Sequence, residues 1–167
     1  DIKIARILKK EPYDAIILES LFVTPYLSTI RKHKKKAPVI LRAHNVEHSI
    51  WEKISIGTGN PIKRWYLNFL TKQLREYEQM MFNLVDGIAT IADTDKIRMM
   101  QLGAHKPIKT IPFGLHLNEY KPQAQYRLNL FHLGAMDWEP NIEGIRWFVE
   151  NIWPKVHDEL PDLELML

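Results

Sequence analysis

The sequence predicts an α/β fold, a doubly wound parallel sheet followed by a truncated second domain of the same kind. Short apolar runs of strand length alternate with segments of helical period, and prolines and glycines fall between them. Apolar strands that alternate with helices imply parallel strands covered on both faces. The composition agrees, because 46% hydrophobic and 26% charged residues over 167 positions are those of an ordinary globular chain.

Taken in order, Ile4, Ile7 and Leu8 recur at helical spacing before Glu11-Pro12, and Asp14–Leu18 is then a short buried run that reads as a strand. Thr24–Lys35 is helix-like behind Pro25, and Pro38–Leu41 is a second strand bounded by proline. Asn60-Pro61 opens a long helix, whose stripe Tyr66, Leu70, Leu74, Tyr77, Met81 and Leu84 recurs every three or four residues and is expected to face the core. Strands follow at Gly87–Ala92, Ile108–Pro112 and Leu128–Leu133, with a helix over 94–102 ended by Gly103. Asn141–Asn151 is a last helix, which Pro154 either kinks or follows with a new turn, and Leu163–Leu167 reads as a final strand.

Asn118–Arg127 has Pro122 and two glutamines but no hydrophobic period, so it is the linker candidate. The expected domains are 1–120 and 128–167, joined by 121–127. The second is too short for a core of its own. The chain opens on Asp1 and stops on a strand, and it is expected to be a piece of a longer protein. Trp147, Phe148, Ile152 and Trp153 would then lack apolar partners, and the chain is expected to self-associate through them.

Zero cysteines exclude disulfides, cysteine nucleophiles and thiolate metal sites. No apolar run approaches the ~20 residues of a membrane span and no signal peptide is recognisable, so the expected location is the cytoplasm. Charge is divided unevenly: residues 1–76 hold 15 Lys and Arg against 7 Asp and Glu, whereas residues 77–167 hold 8 against 13. The basic half is the candidate face for anions. Its one charge run, Arg31–Lys36, reads first as a solvated helix C-terminus and alternatively as a membrane or nucleic-acid contact. Lys63, Arg64, Trp65, Tyr66, Phe69, Lys72 and Arg75 mix basic and aromatic residues on one helix. Core packing of the aromatics is the preferred reading, and an anionic interface the alternative.

Open α/β sheets bind ligands at the carboxyl ends of their strands. Four polar clusters fall there: Glu19-Ser20, Arg42 to Asn45, Asp93-Thr94-Asp95, and Gly134 to Asp137. Ser20 and Asp93 or Thr94 also suit helix caps. His44-Asn-Val-Glu47-His48 matches H-x-x-E-H, in which a helix presents two histidines to zinc and a glutamate serves as general base. His44 follows directly on a strand, and no long helix is expected before Gly57, so a zinc hydrolase is a remote alternative and no metal is expected. Gly134 follows a strand and leads to a helix start, where backbone N–H groups suit a phosphate. The sequence lacks G-x-G-x-x-G, G-x-x-x-x-G-K-[ST] and G-x-S-x-G.

Three segments in order, Pro38-Val-Ile-Leu-Arg-Ala-His-Asn-Val-Glu-His48, Ile111-Pro-Phe-Gly-Leu-His-Leu-Asn-Glu-Tyr120 and Phe131-His-Leu-Gly-Ala-Met-Asp-Trp-Glu-Pro-Asn141, resemble glycosyltransferase family 4, as do Trp147-Phe148 and Trp153-Pro154. The resemblance implies the GT-B fold, two Rossmann-like domains. The chain would supply the later part of the acceptor-binding domain and the start of the nucleotide-sugar domain. It further implies retaining, metal-independent transfer of a sugar from a nucleotide diphosphate sugar to an acceptor hydroxyl, on a saccharide or a lipid-linked carrier, with no separate cofactor. His44 matches the family's histidine near donor and acceptor. Gly134, with Met136 and Asp137, matches the loop that faces the diphosphate, and Arg42, Asn45 and Glu47 are acceptor-site candidates. Phe113 and His116 stand where the family commonly has Asn and Asp. Its upstream glycine-rich loop and downstream paired glutamates lie outside this chain, so the piece alone is expected to be inactive. A peripheral membrane location at the inner face and no nucleic-acid partner are expected. The alternative is a non-catalytic α/β binding module.

Overall fold

The computed structural model describes residues 2–34, 36–119, 121 and 129–167. The expected linker falls almost wholly on 122–128, outside the described residues, as do Lys35 and Leu128. The chain divides into two compact units, Asp1–Leu115 and His116–Leu167.

The first unit is α/β, and its core element is a parallel sheet of β1 (Ile16–Glu19), β2 (Val39–Ala43), β3 (Gly87–Thr90) and β4 (Ile108–Thr110), lying side by side in chain order. The helices are α1 (Ile2–Lys10), α2 (Leu27–His33), α3 (Glu47–Gly57), α4 (Pro61–Leu84) and α5 (Asp93–Gln101). The register sets Leu18 beside Leu41, Leu41 beside Ile88 and Ile88 beside Ile108, so one face carries a continuous apolar row. That row joins Leu8, Ile30, Phe82, Val85 and Met99 in a single core. Removing each such side chain from water contributes about 1.5–3 kcal/mol. Ile17 and Ile40 pair on the opposite face, where Ile17 is 61% exposed. Cover on both faces is therefore not seen on β1.

Local chemistry explains most boundaries. Asn60 caps α4 by accepting from the amides of Ile62 and Lys63 at 3.0 and 3.1 Å, and Pro61 occupies the first turn, where its missing N–H costs nothing. Gly103 ends α5 in the left-handed region at φ 89, a conformation open to glycine without penalty. Pro25 lies in a 3-10 turn, Leu21–Tyr26, and the α-helix starts only at Leu27, so the helix expected from Thr24 begins one turn late.

Two further expectations need correction. A helix does precede Gly57: α3 spans 11 residues. Its buried side chains are His48 and Ser55, both polar, so no apolar stripe announced it. On α4 the buried side chains are Leu67, Thr71, Glu78, Met81 and Phe82; of the expected stripe, Met81 is buried and Leu74 and Tyr77 pack against the core, whereas Tyr66 and Leu84 are half exposed. The aromatics Trp65, Tyr66 and Phe69 are exposed as well and do not pack in the core.

The second unit pairs β5 (Asn129–Phe131) with β6 (Glu164–Met166) in parallel, connected through α6 (Glu139–Asn151) and α7 (Trp153–Glu159). Pro154 begins the new helix α7. Trp147 is 59% exposed, and Phe148, Ile152 and Trp153 are partly buried. No helix among the described residues is long and apolar enough to cross a membrane.

Candidate functional site

The carboxyl ends of β1, β2 and β4 bring four side chains of the first unit together. Glu19 is the last residue of β1, Arg42 lies beside it in register on β2, and His44 follows β2 by one residue. The His44 Nε2 stands 3.3 Å from Glu19 Oε2. Its ring meets Phe113 edge to face with centroids 6.1 Å apart. The Arg42 guanidinium donates to the Ile111 carbonyl at 2.5 Å and lies 5.5 Å over the same phenyl ring. Phe113 thus takes both a cation and an imidazole on its surface. Glu19 and His44 are open to solvent, with side-chain exposures of 65% and 39%.

The chain leaves β1 under strain. Ser20 has φ 102 and ψ 153, a region that L residues with a Cβ rarely enter, at a cost of about 1–3 kcal/mol. Three contacts hold it there. Its amide donates to the carbonyls of Arg42 and Leu18 at 3.0 and 3.1 Å, and its hydroxyl accepts from the Phe22 amide at 3.2 Å. The outcome is a fixed exit for β1, which sets Glu19 toward His44.

Beneath this cluster lies a buried pair that the sequence pattern did not reveal. Glu78 of α4, 1% exposed, accepts from the amides of Glu47 and His48 at 2.8 and 3.0 Å, and its Oε2 is 2.5 Å from His48 Nδ1. Val46, at the N-cap of α3, offers no side-chain bond, so a carboxylate 31 positions away caps the helix instead. Anionic charge at a helix N-terminus is electrostatically favoured. Glu47, half-buried in the first turn, has its carboxyl raised above the ordinary range, first by burial and then by the charge of Glu78; an Asn45 side-chain bond and His44 oppose the rise.

The two histidines of the H-x-x-E-H pattern therefore serve different carboxylates. His44 lies outside α3 and meets Glu19, whereas His48 turns inward to Glu78. Among the described residues no group of three His, Asp or Glu is placed to hold a metal. At β3 the cap expected of Asp93 or Thr94 is not made: Ala92 is the N-cap of α5 without a side-chain bond, and Asp93 Oδ1 instead accepts from the Thr110 hydroxyl at 2.5 Å.

Gly134, Met136 and Asp137 belong to the second unit, in the loop between β5 and α6. A Cβ on Gly134 would stand 2.6 Å from His132 Nε2 and 3.0 Å from Asn141 Nδ2, so a larger residue would displace those two side chains. Asn141 Nδ2 donates to the Ala135 carbonyl at 2.9 Å and pins the loop, and Met136 and Asp137 are exposed. Of the predicted site residues, Arg42 and His44 share one cluster, and Asn45 and Glu47 adjoin it at the start of α3. Glu19, Phe113 and Glu78 complete the constellation. Glu19 was visible as a strand-end residue, while the other two contacts are long-range.

Comparison with protein-family models, with curated proteins and with solved structures returns no match.

Proposed function

We propose that this chain is part of a glycosyltransferase that moves a sugar from a nucleotide diphosphate sugar to an acceptor hydroxyl, with retention and without a metal. The three ordered segments that resemble family 4 support the reading. The observation that carries it is the solvent-open His44, held at the carboxyl end of a parallel strand by Glu19 and Phe113. Ligands of open α/β sheets bind at such strand ends.

In this reading the parallel sheet and its helices belong to one Rossmann-like domain of the GT-B architecture. With the Glu19 carboxylate accepting from Nε2–H, the tautomer leaves the lone pair on Nδ1. That nitrogen then accepts from a sugar or acceptor hydroxyl and orients it. Arg42 already gives one donor to Ile111 and so fixes the loop that carries Phe113. Its remaining donors face the acceptor, together with Asn45 and Glu47. Gly134, with Met136 and Asp137, serves the diphosphate through backbone N–H groups, which replace a metal in stabilising the leaving charge.

The test is transfer by the enzyme that contains this chain, assayed against a panel of nucleotide-sugars. Product formation that persists in chelator, with the anomeric configuration of the donor kept by nuclear magnetic resonance, is the expected result. Strict dependence on a divalent cation, or inverted products, refutes it.

A further inference from the structure

We infer that the outward face of the α3–α4 hairpin is a docking surface for an anionic lipid bilayer. Helix α4 has two apolar sides. The inner one, through Leu67, Met81 and Phe82, packs in the unit, and the outer one carries Ile62, Trp65, Tyr66 and Phe69 at positions i, i+3, i+4 and i+7. The outer four are 78%, 69%, 54% and 49% exposed. Trp65 and Phe69 stack at 6.4 Å with their planes 12° apart, so the aromatic surface is preformed on the helix.

Charge decides what covers this face. From Lys53 to Arg75 the hairpin carries five cations, Lys53, Lys63, Arg64, Lys72 and Arg75, while the exposed carboxylates Glu52 and Glu76 bound that span, Glu76 one helical turn after Lys72. On a helix of about 100° per residue, Lys63 and Lys72 fall on opposite flanks of the aromatic stripe. Cations outnumber exposed carboxylates here by five to two, so a second copy would bring a like excess of positive charge against this one, and self-pairing through this face is disfavoured. A headgroup layer fits both features: Trp and Tyr settle at the boundary between headgroups and acyl chains, and flanking lysines extend to the phosphates. The Arg64 guanidinium donates twice to the Thr58 carbonyl, at 3.0 and 2.8 Å, and ties the turn between the helices.

Cosedimentation with vesicles tests this and needs no sugar substrate, so it is decided separately from glycosyl transfer. The chain is expected to bind phosphatidylcholine vesicles containing phosphatidylglycerol, to bind pure phosphatidylcholine about tenfold or more weakly, and to be released by high salt. Trp65→Ser with Phe69→Ser, and separately Lys63→Glu with Lys72→Glu, should each lower partitioning by about tenfold or more. The circular dichroism spectrum should not change, because these side chains are exposed. Should either pair fail to fold, Trp65→Phe alone suffices: bromine-labelled acyl chains quench the protein's fluorescence, and this change should remove most of the quenching. Absence of binding to anionic vesicles overturns the inference, as does binding that neither pair weakens. Substitutions that alter the oligomeric state by light scattering while vesicle binding persists assign the face to a second copy and overturn it too.

Discussion

Removing the Glu78 carboxylate should be the most damaging single change to the first unit. It is 1% exposed and serves three donors: two amides of α3 at 2.8 and 3.0 Å and the His48 ring. Glu78→Ala strips α3 of the carboxylate that caps it and leaves His48 buried without that partner. Leaving buried donors without an acceptor costs about 1–3 kcal/mol each and loss of a cap about 1 kcal/mol, so the total should be about 3–5 kcal/mol. For a unit of this size that lowers the melting temperature by roughly 10–20 °C. Glu78→Gln keeps the shape and one acceptor oxygen, so its cost should be smaller, about 1–3 kcal/mol. Denaturant unfolding followed by far-ultraviolet circular dichroism measures both, with exposed Glu76→Ala as a control expected within about 0.5 kcal/mol of the parent. An alanine variant as stable as the control would refute the cap.

Substitutions at three other positions read separate parts of the unit. The Glu47 carboxyl is raised above its ordinary value of 4.5 by burial, so its folding contribution is fullest below that value and is lost as pH rises through the raised one. Glu47→Gln should therefore stabilise the protein near neutral pH, with the gain vanishing in acid; equal gains at both ends of the titration contradict this. Asp86 has its carboxyl lowered, chiefly by the Val39 amide it accepts from at 2.7 Å and also by Arg31, 2.8 Å away. Its contribution is present above the ordinary range and disappears as pH falls through the lowered value, so Asp86→Ala should cost stability at neutral pH and little in strong acid. At the strained Ser20, glycine relieves the backbone while alanine keeps the strain and loses the cap, so the glycine variant should be more stable than the alanine one by about 1 kcal/mol or more. Paired melting curves decide it.

Much of the fold was legible because its signals are local. Asn60-Pro61 and Gly103 marked helix ends through their own backbone chemistry, and the runs at Pro38–Leu41 and Gly87–Ala92 were apolar enough to read as strands, which the structure places at Val39–Ala43 and Gly87–Thr90. Helix α3 was not legible, since its cap comes from Glu78 and its buried side chains are polar. Glu78 and Thr71 interrupt the inner apolar side of α4, so the expected stripe drifts off it: Leu74, Tyr77 and Met81 reach the core, whereas Tyr66 and Leu84 at its ends are half exposed. At the site, strand-end topology found Glu19, Arg42 and His44. Phe113 could not be placed in the same way, because its contacts join residues about 70 positions apart, and sequence spacing carries no record of them.

The central claim, that His44 serves the proposed sugar transfer, is most directly tested by His44→Ala. His44 is 39% exposed and its contacts are Glu19 and Phe113, so the melting temperature should stay within a few degrees of the parent. Loss of a group that orients a reacting hydroxyl should lower turnover by about 10²-fold or more. A variant that transfers sugar at the parental rate, or one whose activity falls only because the protein unfolds, would contradict the assignment.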